Sequence, residues 1–215
     1  MATVYKTLSD HAILIEFGKK ISPELLQKVM GLDILLQEQD IYGVIETVPA
    51  YASLAVFYNP LIWEEEDLIQ TIKGLELSSG DVNLPVPQKW EIPVIYDPPG
   101  NPDMQSVIHH TGLSYEAIIE IHQRGEYLVY MLGFLPGFIY LGGMDPRLSV
   151  PRKKVPDLKT PAGSVAIGGA QTGIYALESP AGWHIIGHTD MTFFDSKASP
   201  PAKIKPGDRV VFVNG

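Results

Sequence analysis

The chain has 215 residues, of which 45% are hydrophobic and 19% charged, and its formal net charge is −9. This composition is typical of a folded globular protein, and the acidic charge argues against nucleic acid as a partner because phosphate backbones repel it. The absence of cysteine excludes disulfides and thiolate chemistry, and no signal peptide or membrane span is indicated, so we expect a cytoplasmic protein without membrane contact.

The N-terminal part alternates between strand-like and helical patterns. Strands are predicted over residues 4–8, 12–17, 44–48 and 54–58, and helices begin near Ser22 and Glu64. A serine hydroxyl accepts hydrogen bonds from exposed helical N–H groups, so Ser22 is the predicted N-cap, and proline is favoured at the next position. The order predicts a small α+β sandwich with its helices on one face of an antiparallel sheet.

Turn-forming residues and prolines from Ser78 to Pro87 predict a linker. Beyond it, we expect a helix capped by Ser114 and running from Tyr115 to about Gln123. Short strands separated by glycine and proline predict a β-barrel. The predicted strands cover residues 92–96, 127–134, 164–167, 174–177, 183–186, 191–194 and 209–213.

Several kinds of site are absent from the sequence. It contains no phosphate-binding loop of the Gly-x-x-x-x-Gly-Lys type, no Gly-x-Ser-x-Gly nucleophile motif and no dinucleotide loop. His184 and His188 would lie on one face of a strand but about 13 Å apart, too far to share a zinc ion. The pair His109-His110 is interpreted as a helix end, and no metal site is predicted.

Three features suggest a binding pocket. Glycines alternate with aromatic residues from Leu132 to Gly143, which permits close backbone approach beside flat walls. Arg152 lies between Pro151 and Pro156 and suits a carboxylate or phosphate, whereas the nearby lysines at 153, 154 and 159 are predicted to be solvated. Gln171, in a glycine-rich loop, suits an amide. Each feature is also compatible with ordinary turns, so the residues alone indicate an anion- or amide-binding pocket and no reaction.

The same stretches, together with others in order, resemble the family of 5-oxoprolinase B subunits, also called the allophanate hydrolase subunit 1 or kinase A inhibitor family. The resemblance extends over nearly the whole chain and is most specific from Gly133 to Asp195. The matching segments are Gly133 to Leu141, Pro151-Arg152, Pro161 to Val165, Gln171 to Tyr175, Ser179 to Trp183, Ile186 to Thr189, Phe194-Asp195 and Pro206 to Asp208.

The resemblance implies an α+β protein with a small N-terminal α/β sandwich domain, residues 1–80, and a C-terminal cyclophilin-like β-barrel domain, residues 88–215. It implies one component of ATP-dependent 5-oxoprolinase, which cleaves 5-oxoproline to L-glutamate together with subunits A and C and is inactive alone. ATP would be the co-substrate of the complex. The alternative is a regulatory inhibitor of a sporulation sensor histidine kinase, while prolyl isomerisation rests on fold analogy alone.

In the light of that resemblance, Arg152 is expected to bind the anion and Gln171 the lactam amide. His122 and His188 are the candidate catalytic residues, because histidine exchanges protons near neutral pH. The other predicted substrate-binding residues form the wall and loops of the pocket: Phe134, Pro136, Phe138, Tyr140, Pro161, Gly163, Ser164 and Trp183.

Overall fold

The computed structural model describes residues 3–76 and 82–215. The chain divides into two compact units, Met1–Val86 and Pro87–Gly215. The predicted linker lies partly outside the described residues, because Ser78 to Asp81 are not among them. The domain boundaries 1–80 and 88–215 therefore stay a prediction.

The N-terminal unit contains a four-stranded antiparallel sheet of order β1-β2-β4-β3. Its elements follow the predicted order: β1 Val4–Ser9, β2 Ala12–Glu16, α1 Pro23–Gln39, β3 Val44–Ala50, β4 Ser53–Tyr58 and α2 Glu65–Glu76. Ser22 caps α1, where its hydroxyl accepts a hydrogen bond from Leu25 N at 3.3 Å. Alternate strand residues such as Ile13 and Val56 pack with the apolar stripes of the two helices into one buried cluster.

The C-terminal unit is a closed seven-stranded barrel of order β10-β7-β6-β13-β5-β12-β9. All pairings in it are antiparallel except that of β13 with β5. A separate two-stranded sheet pairs β11 with β8. The elements are β5 Lys89–Tyr96, α3 Pro102–Thr111, α4 Tyr115–Arg124, β6 Glu126–Leu132, β7 Ile139–Gly142, a 3₁₀ helix Pro146–Leu148, β8 Asp157–Thr160, β9 Ser164–Gly168, β10 Gln171–Ile174, β11 Ser179–Ala181, β12 His184–His188 and β13 Arg209–Asn214.

The helices of this unit extend the barrel core. Met104 and Val107 of α3 and Ile118 of α4 are buried in the same cluster as the barrel strands. The Ser114 hydroxyl accepts a hydrogen bond from Ala117 N at 3.2 Å and caps α4 as predicted. His109 lies in the last turn of α3 beside His110. The predicted α+β fold class, a sandwich followed by a barrel, is confirmed.

Three local predictions were wrong. Residues 191–194 form no strand, because Phe193 is buried by side-chain packing while the backbone makes only an isolated bridge at Phe194. β10 lies three residues before the predicted 174–177, since apolar side chains continue beyond its hydrogen-bonded ladder. β6 ends at Leu132 and does not reach Phe134, which lies in a turn. Among the described residues, no helix is long and apolar enough to cross a membrane.

Candidate functional site

The wall formed by β7, β9, β10 and β12 has two different faces. Val165 and Ile167 of β9 belong to the main barrel cluster, whereas Ala166 between them belongs to a second cluster. On β10, Ile174 belongs to the main cluster, while a Cβ added to Gly173 would meet Phe138 and Trp183 of the second cluster. Side chains alternate across a strand, so the second cluster lies on the outer face of this wall.

The outer face carries a packed aromatic cluster. Phe138 contacts Tyr140 with ring centroids 4.6 Å apart, and Tyr175 at 4.7 Å. Trp183 lies 5.6 Å from Phe138 and 5.7 Å from Tyr140. Most of these contacts are edge-on, the preferred geometry for aromatic pairs. Phe138, Tyr175 and Trp183 are buried, so they support this face and expose little surface to a ligand.

Arg152 and Gln171 lie on the same outer face. The Arg152 guanidinium is exposed and stands 5.6 Å from the centroid of the Trp183 ring, within cation–π range. Gln171 pairs with Gly168 across the β9–β10 ladder, and a Cβ at Gly168 would lie 2.4 Å from the Trp183 ring. Because opposed residues point to one face, the Gln171 side chain also lies on the Trp183 side. The structure therefore places the residues predicted to bind an anion and an amide on the same face of the wall, the face that carries Trp183.

A polar cleft of about 530 Å³ adjoins the aromatic cluster. Ile185 lines the cleft and also packs against the cluster, which makes the two regions continuous. Three of the predicted site residues, Pro161, Ser164 and His188, line it. The other polar lining residues are Asp97, Asn101, Asp103, Asp157, Lys159 and Thr160.

Asp97 and His188 are two of the titratable residues that line this cleft. The Nδ2 of Asn101 donates to one carboxylate oxygen of Asp97 at 3.0 Å. Burial raises the pKa of Asp97, the charge of His188 opposes that rise, and Asp103 adds to it. His188 is exposed, and its Nε2 lies 3.2 Å from Asp190 Oδ1. A carboxyl with a raised pKa beside a histidine is a common feature of acid–base sites.

Lys153 corrects the prediction that the lysines of this segment are solvated. Its side chain is only 10% exposed, and its ammonium lies 2.6 Å from Asp103 Oδ2 and also contacts Asp157. Asp103 Oδ2 accepts a further hydrogen bond from Ile185 N at 2.8 Å. Lys153 thus fixes one side of the cleft, whereas Lys154 and Lys159 are exposed as predicted.

Gly163 lies in the loop that precedes β9, and the backbone there requires glycine. Its φ is +83°, and an added Cβ would lie 2.2 Å from the Thr189 carbonyl oxygen. Gly163 N donates to Tyr175 O at 2.7 Å, and Thr189 N donates to Gly163 O at 2.9 Å. Gly163 therefore positions the neighbouring Ser164, and its own role in substrate binding stays a prediction.

His122 lies on the opposite, inner side of the wall, with no exposed surface. The Thr172 hydroxyl donates its single hydrogen to Ala166 O at 3.0 Å, so it accepts from His122 Nε2 at 2.9 Å. His122 Nδ1 is then an acceptor, and Tyr96 OH donates to it at 2.8 Å. Burial lowers the pKa of His122 to about 3. The ring is a neutral, fully bonded part of the core and cannot reach a substrate in the cleft.

His184 and His188 do not share a face, contrary to the strand-based expectation. A register shift between Ile185 and Gly187 breaks the alternation of β12. His184 is buried, with its Nε2 3.0 Å from Pro151 O, while His188 is exposed. Within the described residues no group of three or more potential ligands is placed to hold a metal ion.

Comparison with known proteins places the chain in a family. Residues 3–204 match the family described as carboxyltransferase domain, subdomain C and D. The chain is 38% identical to the 5-oxoprolinase B subunit of Bacillus subtilis over 96% of its own length and 90% of that protein. It is 41% identical to the 5-oxoprolinase B subunit of Escherichia coli O157:H7, over 96% of this chain and 93% of that one. The chain belongs to the family of 5-oxoprolinase B subunits.

A solved protein with this fold is longer than the family members above. The crystal structure of TTHA0988 superposes with a TM-score of 0.81 and is 35% identical, covering 95% of this chain. This chain spans only 40% of the TTHA0988 chain. The fold of this B-subunit family therefore also occurs as part of a larger polypeptide.

Two cleft residues of this B-subunit family member, Asp97 and Asn101, were not predicted from the sequence. Both lie between β5 and α3, and the start of α3 was not predicted because prolines and a glycine surround it. Asn101 caps α3, and its Oδ1 accepts from Asp103 N at 2.8 Å, with Pro102 at the first helical position. An asparagine followed by proline and aspartate is a helix-start signal, so the sequence did contain the information that predicts this element.

Proposed function

We propose that this chain is the B subunit of an ATP-dependent 5-oxoprolinase and acts in a complex with subunits A and C. The reaction opens the lactam of 5-oxoproline to L-glutamate and is coupled to ATP hydrolysis. The observation that carries this proposal is the identity of 38% to the Bacillus subtilis B subunit over 96% of the chain. The predicted cytoplasmic location is part of the same proposal.

The reaction makes three demands on a binding site. The lactam C–N bond breaks, a water oxygen bonds to the carbonyl carbon, and the nitrogen gains a proton. The substrate carboxylate needs a cation, the lactam needs a donor and an acceptor, and the nitrogen needs an acid. We assign the first two tasks to Arg152 and Gln171, since both lie on the outer face beside Trp183.

We assign proton exchange to His188 and Asp97. Both line the cleft that adjoins the aromatic cluster through Ile185. A group acts as a general acid or base most effectively when its pKa is near the working pH, and burial moves the pKa of Asp97 in that direction. His122 is not assigned this task, because both ring nitrogens are hydrogen-bonded inside the core.

ATP is proposed as the co-substrate of the complex, and no residue of this chain is assigned to it. The chain supplies one part of a shared site and is expected to be inactive alone. The kinase-inhibitor alternative stays a prediction, since no observation on the described residues favours it.

The deciding experiment is reconstitution with purified subunits A and C. We expect glutamate release that requires ATP, 5-oxoproline and this chain. Equal release by subunits A and C without the chain would contradict the proposal.

Variants with matched controls locate the site within the reconstituted complex. Arg152→Lys is expected to raise KM about tenfold because the planar fork is lost, whereas Arg147→Lys, exposed and paired with Asp145, leaves KM unchanged. His188→Asn is expected to lower kcat by about a hundredfold, and His109→Asn at the end of α3 leaves it unchanged. Unchanged kinetics of Arg152→Lys and His188→Asn would refute this assignment of roles while leaving the complex intact.

A further inference from the structure

Phe134 has a backbone conformation that is unusual for its residue type. Its φ is +65°, and Leu135 N donates to Gly133 O at 2.7 Å across it. A hydrogen bond that spans one residue at positive φ defines a tight γ-turn, a rare and strained geometry for a residue with a side chain. Glycine adopts positive φ freely, yet the chain carries phenylalanine here. We call residues Gly133 to Gly137 the Phe134 turn.

The strain places an aromatic ring in solvent. The Phe134 side chain is 66% exposed. Beneath it, the rings of Phe138 and Tyr175 meet it edge-on at 5.9 and 6.5 Å, and both are buried. Gly133 N and Phe138 N each donate at 3.2 Å, to Phe138 O and Leu135 O respectively, and close the turn. The ring is therefore held on a rigid base and is not collapsed into the core.

Exposure alone is ordinary, because single apolar side chains on a surface need no explanation. Leu61 and Leu158 are more exposed than Phe134, but neither has positive φ. Among the described residues other than glycine, positive φ occurs only at Asp40, Tyr51 and Phe134, and of these only Phe134 is a large exposed apolar side chain. A strained backbone that holds the apolar Phe134 ring in solvent indicates that this ring contacts another molecule.

The surroundings of the Phe134 turn indicate what kind of contact this is. Tyr175 touches Phe134 and shares the aromatic cluster with Trp183, over which the exposed Arg152 lies at 5.6 Å. Aromatic residues and arginine are enriched at the centres of protein–protein interfaces and dominate their binding energy. A rigid aromatic anchor also loses little conformational entropy on binding.

The partner is indicated by the family. Residues 3–204 match a carboxyltransferase domain only in its subdomains C and D, and the similar fold in TTHA0988 is accompanied by additional polypeptide, since this chain spans 40% of it. We infer that the Phe134 turn is the anchor by which this chain docks to the polypeptide that carries the remaining carboxyltransferase subdomains, with the Phe134 ring inserted into an apolar pocket of that partner. This inference rests on the proposed function in one respect, which is that the partner is named as the C subunit.

Docking at the Phe134 turn would also affect the residues to which substrate binding is assigned. A partner seated on Phe134 covers the outer face that carries Arg152 and Gln171, so water is excluded from the proposed substrate groups only in the complex. This accounts for a chain that is inactive alone.

The test measures binding and stability separately. Purified full-length chain is titrated with the purified C subunit by calorimetry, for the wild type, Phe134→Ala and Phe134→Gly. We expect both variants to bind at least about thirtyfold more weakly, as for an interface hot spot. In urea, the isolated Phe134→Gly chain should unfold at a higher midpoint than Phe134→Ala, because glycine relieves the positive φ. Leu61→Ala, equally apolar and 94% exposed, should bind as the wild type does.

Each outcome decides a different question. If Phe134→Gly binds the C subunit with wild-type affinity, the docking inference is wrong. If that variant binds normally but the reconstituted complex loses activity, Phe134 is a substrate wall as predicted from the sequence, and the inference is again wrong while the proposed function stands. If the wild-type chain itself fails to bind the C subunit, both the docking site and the proposed complex are overturned.

Discussion

The two faces of the β9–β10 wall use polar residues in opposite ways. On the inner face, Tyr96, His122, Thr172 and the Ala166 carbonyl form a closed chain in which each hydrogen has an acceptor. On the outer face, Arg152 stands exposed over Trp183, and nearby a strained turn displays Phe134. Closed hydrogen-bond chains in a core specify structure, while open polar groups and strain mark binding. Of the two histidines predicted as proton carriers, His122 lies on the inner face and His188 on the outer face.

The largest expected effect tests the inner face. His122→Ala should lower the free energy of unfolding by about 4 kcal/mol, because it removes a buried ring stacked on Phe212 at 4.4 Å and both hydrogen bonds of that ring. His188→Ala, on the exposed side, should change it by less than about 0.5 kcal/mol. Urea unfolding of the two variants checks this. Equal losses would show that the two faces do not differ in the way described.

The next prediction concerns the loop that leads into the wall. Gly163→Ala should cost about 3 kcal/mol, since a Cβ would lie 2.2 Å from the Thr189 carbonyl oxygen at a φ of +83°. Gly182→Ala is the control, because a Cβ there meets no atom within 4 Å. Urea midpoints that fall equally for both variants would contradict the close approach at Gly163.

Acid should lower the free energy of unfolding through His122, which is buried on the inner face. Burial holds its pKa at about 3 in the folded chain, against 6.5 for the free group. Between these values the unfolded chain binds a proton that the folded chain does not, so this stability is complete above pH 6.5 and falls by about 1.4 kcal/mol per pH unit below it. The expected loss at pH 5 is about 2 kcal/mol. In urea titrations at pH 7, 6 and 5, His122→Gln should remove the loss of stability that is attributed to His122. If the free energy of unfolding of this variant falls with pH as steeply as that of the wild type, His122 is not the cause.

The smallest stability effect belongs to the outer face. Burial raises the pKa of Asp97, so its contribution to stability is present below the unfolded pKa and is lost as the pH rises through the folded pKa. Asp97→Asn should therefore be slightly more stable at pH 7, by less than about 1 kcal/mol because solvent screens the half-exposed carboxyl, and equal at pH 3. Its kcat in the complex should fall by about a hundredfold.

The control for Asp97 is Glu91→Gln on the preceding strand β5, which is exposed and should leave both stability and kcat unchanged. If Asp97→Asn is less stable at pH 7 and the complex stays fully active, the carboxyl stabilises the fold and takes no part in proton exchange.

Local chemistry in the sequence predicted much of the fold. The caps at Ser22 and Ser114 were predicted correctly because a cap depends on a few neighbouring residues. The strand at 191–194 was wrong because an apolar pattern records burial and not hydrogen bonding, and Phe193 is buried without a ladder. The end of α3 at His109-His110 was predicted, but its start was missed because the turn-forming residues before Asn101 obscured the cap there.

The candidate site was predictable in its residue types and not in their arrangement. Arg152, Gln171 and the aromatic residues were identified as a group, and they lie on one face because β9 and β10 pair in the register that opposes Gly168 and Gln171. The division of His122 from His188 was not visible in the sequence, since each is a single histidine with apolar residues before it and polar residues after it. Lys153 was wrongly predicted for a related reason: its partner Asp103 lies 50 residues away.

The sequence by itself determined the family, the order of strands and helices in the N-terminal unit, and a set of residues suited to an anionic amide, because motifs and periodicity are local properties of the chain. The tertiary structure alone decided which of those residues are buried, which face the cleft, and that Phe134 is held at positive φ in solvent. Those features depend on strand register and on contacts between distant segments, which fix each side chain to one face of the barrel wall.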